Sequence, residues 1–158
     1  MKHYYYLVLA IFLLTAFNIS NAQQRSFGLG VMVGEPTGIS AKLWTSQTNA
    51  LDFGLGWSAF DNRHYNGTRV HFHMDYLWHS FNAIRSAERF PIYYGIGGRL
   101  NSGGNYDASL AVRGVIGIAW LPRNTPIDIF LEIVPSLELT PSTGFALDAA
   151  IGARYFFD

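Results

Sequence analysis

The sequence predicts an all-β fold: an eight-stranded antiparallel up-and-down transmembrane β-barrel with a polar, filled interior. Three observations predict it. From Arg69 to His79 the chain alternates strictly, with Val70, Phe72, Met74, Tyr76 and Trp78 on one face of an extended strand. Arg69, His71, His73, Asp75 and His79 lie on the other, with Leu77 the one apolar residue among them. The segment has about the 9–11 residues that a tilted strand needs to cross a bilayer. The same alternation recurs in eight segments separated by turn-forming clusters, and the face opposite the apolar one is rich in glycine and sparing in charge.

Taken in order, Phe27 to Val33 sets Phe27, Leu29, Val31 and Val33 against Gly28, Gly30 and Met32. Gly34-Glu35-Pro36-Thr37 follows, and Pro36 suits the second position of a turn beginning at Glu35. The second strand places Ile39, Ala41 and Leu43 against Ser40, Lys42 and Trp44, and Ser46 to Asn49 turns the chain. In the third, Leu51, Phe53, Leu55 and Trp57 oppose Asp52, Gly54, Gly56 and Ser58. The loop Asp61 to Thr68, with Asn66-Gly67 as a hairpin tip, leads into the fourth. Ser80 to Glu88 is a longer connection with room for a helical turn. Strand five runs from about Phe90 to Leu100, with Ile92, Tyr94, Ile96 and Leu100 opposing Tyr93, Gly95, Gly97 and Arg99. After a Gly- and Asn-rich loop, Asn101 to Asp107, strand six sets Leu110, Val112, Ile116, Ile118 and Trp120 against Ala111, Arg113, Val115, Gly117 and Ala119. Pro122 to Pro126 turns into strand seven, where Ile127, Ile129, Leu131 and Ile133 oppose Asp128, Phe130, Glu132 and Val134. Beyond Thr140 to Gly144, the last strand sets Phe145, Leu147, Ala149, Ile151, Tyr155 and Phe157 against Ala146, Asp148, Ala150, Gly152 and Arg154.

A soluble barrel shares this alternation with its apolar face turned in. The opposite face separates the two. Gly28, Gly30, Gly54, Gly56, Gly95, Gly97, Gly117 and Gly152 would weaken a water-facing sheet and solubilise nothing. Inside eight strands, whose interior is just wide enough to be filled by side chains, they make room for a few large polar groups. The apolar face, with Trp57, Trp78 and Trp120, is too bulky for that interior and suits lipid with interfacial aromatic belts.

The N-terminus predicts a secretory signal peptide over residues 1–22. Lys2 and His3 are basic, Tyr4 to Phe17 is apolar and Ser20-Asn21-Ala22 is a small-residue cleavage site before Gln23. An apolar run of about 14 residues is short for an anchor helix, which needs about 20. Residues 23–158 then form one barrel domain. With no cysteine, thiolate metal sites and disulfides are excluded. Removing Lys2 leaves a mature net charge of about −1, which gives no electrostatic reason to expect nucleic acid as partner. Charged residues are only 14% and aromatics 16% of the chain, a poor surface toward water and a good one toward lipid.

Phe27 to Val33, Gly34-Glu35-Pro36-Thr37-Gly38-Ile39-Ser40-Ala41-Lys42 and Leu51-Asp52-Phe53-Gly54-Leu55-Gly56-Trp57 resemble a family of bacterial outer-membrane barrels related in form to OmpX and the OmpA membrane domain. The resemblance covers nearly all of the mature chain, with the Gly-Glu-Pro-Thr-Gly stretch its most specific part. It implies eight strands with both termini in the periplasm and brings no catalytic residues to carry over. Asp158 after Phe156-Phe157 departs from the terminal aromatic of many such barrels.

By parity Lys42, Asp52, Asp75, Arg99, Arg113, Asp128, Glu132, Asp148 and Arg154 project inward. Buried charges must be paired, so they predict an interior ion-pair network. Hairpin register suggests Lys42 with Asp52, Arg113 with Glu132 and Arg154 with Asp128. His71, His73 and Asp75 stand about 6.6 Å apart along one strand face, a spacing at which two imidazoles and a carboxylate can share a metal. The same residues also suit hydrogen-bonded neighbours of the charged cluster, and no bound metal or cofactor is expected. Arg63, His64 and Tyr65 in one loop and Tyr106 in another are candidate surface contacts.

The expected function is that of an integral outer-membrane barrel with a structural or surface-interaction role, neither a wide pore nor an enzyme. Its partners would be outer-membrane lipids, the barrel-assembly machinery during biogenesis, and an extracellular protein or ligand at the loops. Two alternatives stand. One is a lipid-modifying barrel enzyme using Ser58, Asp61, His64 and His71 near the outer interface. The other is a soluble periplasmic barrel binding a small apolar ligand.

Overall fold

A computed structural model describes residues 26–57, 69–103 and 106–157. The signal-peptide segment and the Asp61–Thr68 loop, with Ser58, Arg63, His64 and Tyr65, lie outside the described residues. Eight strands, β1 (Phe27–Gly34), β2 (Thr37–Trp44), β3 (Asn49–Trp57), β4 (Val70–Ser80), β5 (Ile92–Gly103), β6 (Tyr106–Trp120), β7 (Ile127–Thr140) and β8 (Gly144–Phe157), follow one another around a closed barrel. β1 closes on β8 antiparallel, in register from Phe27↔Phe157 to Gly34↔Ala150. Closure satisfies the backbone donors and acceptors that an open sheet would leave at its two edges.

Period-two alternation sorts the side chains as the sequence predicts. Val31, Phe145 and Leu147, among many apolar residues, point outward, whereas Lys42, Arg113, Arg154 and their acids are 0–8% exposed inside. The interior is not polar throughout. Met32, Leu77, Tyr93, Val115, Phe130 and Val134 form an apolar layer among the charges. Trp44, Ala50 and Phe156, with Phe81 and Leu121 against them, form another at the rim where β1 begins and β8 ends. Several outward aromatics gather at that same rim, while Trp57 and Phe145 stand toward the opposite one. Trp78 contacts Tyr76 and Tyr94, Phe90 contacts Trp120, and Phe157 contacts Phe27 and Tyr155, with ring centroids 4.9–6.4 Å apart.

The large inward side chains are accommodated by a cross-strand rule. His73 lies opposite Gly54 and His71 opposite Gly56, Asp75 opposite Gly97, and Leu77 opposite Gly95. Tyr93 faces Gly117, Phe130 faces Gly152 and Phe156 faces Gly28. A methyl group built on Gly54 would land on the His73 ring and on Met32, and one on Gly117 would land on the Tyr93 ring. Glycine therefore supplies volume, one residue at a time, where its neighbour needs it. Gly54→Val is expected to destabilise the barrel by about 1–3 kcal/mol through overpacking. Gly98→Ala, whose added carbon meets nothing nearer than the Ala111 carbonyl at 3.9 Å, should stay within about 0.5 kcal/mol. Urea midpoints of the folded protein read both.

Several element ends differ from expectation. The first turn is Glu35-Pro36, enclosed by Gly34 and Thr37, so Pro36 stands third in it and not second. Gly34 has φ of 137°, a conformation open to glycine, and its N–H donates to Thr37 Oγ1 while that hydroxyl donates to the Gly34 carbonyl. The connection after β4 is a run of turns and bends; no helix occurs among the described residues. The Asn101–Asp107 segment is mostly strand, since β5 continues to Gly103 and β6 begins at Tyr106. β7 passes through Pro135 and reaches Thr140, not Val134. Its register with β6 runs through Arg113↔Ser136 and resumes at Ile116↔Ile133, so the proline's missing N–H falls in the gap between them.

Candidate functional site

The site is the charged interior. The nine inward-facing charges of the sequence reading are all buried here, on strands β2 to β8. A row of paired positions, Lys42↔Asp52, Asp52↔Asp75, Asp75↔Gly97 and Gly97↔Arg113, runs across β2 to β6. Asp52 and Asp75 are thus direct cross-strand neighbours. Two like charges so placed repel, and they persist only with cationic groups beside them.

Those groups come from across the barrel. Arg154 reaches Asp52 Oδ1 with Nη2 at 2.6 Å and Asp128 Oδ2 with Nη1 at 3.3 Å, and donates from Nε to Ser40 Oγ at 2.8 Å. Its guanidinium carbon lies 3.9 Å from the centre of the Phe130 ring, a cation–π contact in a desolvated place. Lys42 Nζ donates to Asp128 Oδ2 at 3.3 Å and lies 3.4 Å from His79 Nε2. It also sits 5.1 Å from the Tyr93 ring centre and 5.5 Å from that of Trp44. Arg113 Nε is 3.2 Å from Asp75 Oδ2, and Arg113 Nη2 is 3.7 Å from Glu132 Oε1. The Tyr93 hydroxyl donates to the other Glu132 oxygen at 3.2 Å. Toward the opposite rim, Arg99 donates to Asp148 at 2.6 Å and to Glu138 at 3.0 Å, and Arg69 donates to Ser109 at 2.9 Å.

Of the three suggested pairs, Arg113–Glu132 and Arg154–Asp128 are within ion-pair distance. Lys42 and Asp52 are register partners as the hairpin predicts, yet the Lys42 ammonium pairs with Asp128, and Asp52 takes Arg154. A long side chain on a closed barrel can choose an acid across the interior over the one beside it. Sequence reasoning also left out Ser40, Tyr93 and Glu138 as partners. Parity points Ser40 and Tyr93 inward, so their signal was present; Glu138 needs a β7 that continues past Pro135.

The metal candidate is rearranged. His71 does not join His73 and Asp75 around one point: its Nε2 is hydrogen-bonded to His73 Nδ1 at 2.9 Å, with the rings edge to face. Asp52 takes its place, and Asp52, His73 and Asp75 converge. His71, also a candidate for lipid chemistry, is 1% exposed within the interior network. Of the loop candidates, Arg63, His64 and Tyr65 lie outside the described residues and Tyr106 heads β6.

A scan of the chain against protein-family models and searches of curated proteins and of solved structures found no match.

Proposed function

We propose that this chain is an integral outer-membrane β-barrel with a structural or surface-interaction role, exported by its N-terminal segment and inserted by the barrel-assembly machinery. One observation carries the reading: a closed barrel whose outward face is apolar and whose buried charges all point in. In water that arrangement exposes the wrong face; in lipid the closed ladder leaves no sheet edge unpaired and the apolar residues meet hydrocarbon. The short strands β1 to β3, of 8–9 residues, still span about 20–25 Å at a tilt near 40°, the height of an apolar membrane band. The aromatic rim around Trp78, Tyr94 and Trp120 supports an interfacial girdle at the end where β1 begins and β8 ends. The resemblance of the Gly34-Glu35-Pro36-Thr37-Gly38 region to OmpX- and OmpA-type barrels supports the same placement.

The interior supports a plugged barrel in place of a pore. Arg113, Arg154, Tyr93, Lys42, Phe130 and Leu77 are fully buried side chains that occupy it. The protein is accordingly read as non-enzymatic, its external loops making whatever contacts it has. The refolded barrel should migrate faster unboiled than boiled on a denaturing gel, and should be recovered with the outer membrane. Absence of the shift together with recovery in the soluble periplasm would overturn the reading and favour a soluble ligand-binding barrel.

A further inference from the structure

At the Asp52–His73–Asp75 cluster, Arg154 and Arg113 pair with the two carboxylates but His73 Nε2 is left without a hydrogen bond. His73 Nε2 lies 3.8 Å from Asp52 Oδ2 and 3.9 Å from Asp75 Oδ2, and all three ligand atoms are within 4.8 Å of one another. The three side chains are 0–3% exposed. The neighbours of His73 favour one of its tautomers. A guanidinium only donates, and Arg113 Nη1 is 3.5 Å from His71 Nε2, a placement that favours that nitrogen as an acceptor. The 2.9 Å contact between the two imidazoles is then a hydrogen bond donated by His73 Nδ1. A neutral His73 therefore turns the lone pair of Nε2 toward two carboxylates, and this nitrogen makes no hydrogen bond. Arg113 holds the same Asp75 oxygen and Arg154 the other Asp52 oxygen, so the point the three acceptors share is open to one more positive group, a proton or a metal ion.

We propose that Asp52, His73 and Asp75 form a binding site for one divalent transition-metal ion of the zinc class inside the barrel. The two His73–carboxylate separations, 3.8 and 3.9 Å, are too long for hydrogen bonds and exceed the edge of about 3.4 Å of a tetrahedral site with bonds near 2.1 Å, so the carboxylates close in slightly on the ion. One imidazole and two carboxylates suit zinc or a neighbouring divalent ion. His71 serves as the outer partner that fixes the ligating tautomer of His73, the usual role of a group hydrogen-bonded to a metal-bound histidine. Gly54 leaves the space in which the His73 ring stands. Arg113 and Arg154 draw on the same two carboxylates, so the ion is held less firmly than by free ligands and a strong chelator removes it. The inference rests on the barrel interior alone and holds whichever surrounding medium the outer face meets.

The test uses the full barrel, stripped with chelator, refolded with zinc chloride and freed of excess metal by gel filtration. Elemental analysis is expected to find about one zinc per barrel in the wild type, and background in His73→Gln and Asp75→Asn. His79→Gln, away from the cluster, should retain the ion. Cobalt(II) in place of zinc should give visible ligand-field absorption in the wild type, a readout that needs no variant to fold. Colourless cobalt-treated protein with no retained zinc means that a proton alone satisfies the cluster, and overturns the proposal. Equal retention by wild type and His73→Gln overturns it too.

Discussion

Arg154→Met is expected to lower the unfolding free energy of the barrel by about 3–5 kcal/mol, the cost of leaving a buried charge without its partner. Arg154 is 2% exposed and uses each guanidinium nitrogen on a different acceptor: Nε on Ser40, Nη1 on Asp128 and Nη2 on Asp52. Asp128 keeps Lys42 when Arg154 is lost, so the penalty falls chiefly on Asp52. Asp52 already faces Asp75 across β3 and β4. Adding Asp52→Asn to Arg154→Met should therefore recover part of the loss, because it removes the uncompensated charge. Arg154→Lys should recover little, since an ammonium lacks the planar fork that reaches three acceptors at once. Urea titrations in detergent or lipid vesicles, followed by tryptophan fluorescence, read all three. An unchanged midpoint in Arg154→Met would show that this side chain does not hold the interior acids together.

The second large effect is on the outside. Ile133, near the middle of β7, is 53% exposed and pairs with Ile116 on β6, itself 59% exposed. Ile133→Arg should cost about 2–4 kcal/mol for a barrel folded in lipid, where an arginine must be carried to mid-bilayer. On a water-facing sheet the same exposed substitution would fall within about 0.5 kcal/mol. Ser80→Arg, at the end of β4 on the aromatic rim, should cost only about 0–1 kcal/mol in lipid. The comparison is a depth profile. Equal small costs at both positions would remove hydrocarbon from around the barrel.

The strands and their inward and outward faces were legible in the sequence because both depend on a local period of two. Eight alternating segments already imply which of Lys42, Asp52, Asp75, Arg99, Arg113, Asp128, Glu132, Asp148 and Arg154 leave the apolar face. Strand ends were less legible. Pro135 and the glycine-rich run around Gly103 read as interruptions, whereas the closed sheet carries both, with neighbouring ladder bonds continuing on either side. The candidate site was legible only in its membership.

What only the tertiary structure decided is who meets whom. Lys42 passes over its register partner Asp52 for Asp128, five strands on, and Arg154 of β8 takes Asp52 of β3. Asp52, not His71, completes the cluster with His73 and Asp75. The physical reason is that a side chain's direction is set by its own strand, whereas its partner is set by the closure that brings distant strands across a narrow interior. The sequence by itself determined which residues enter that interior; the curvature and register of the closed sheet determined the pairs they form.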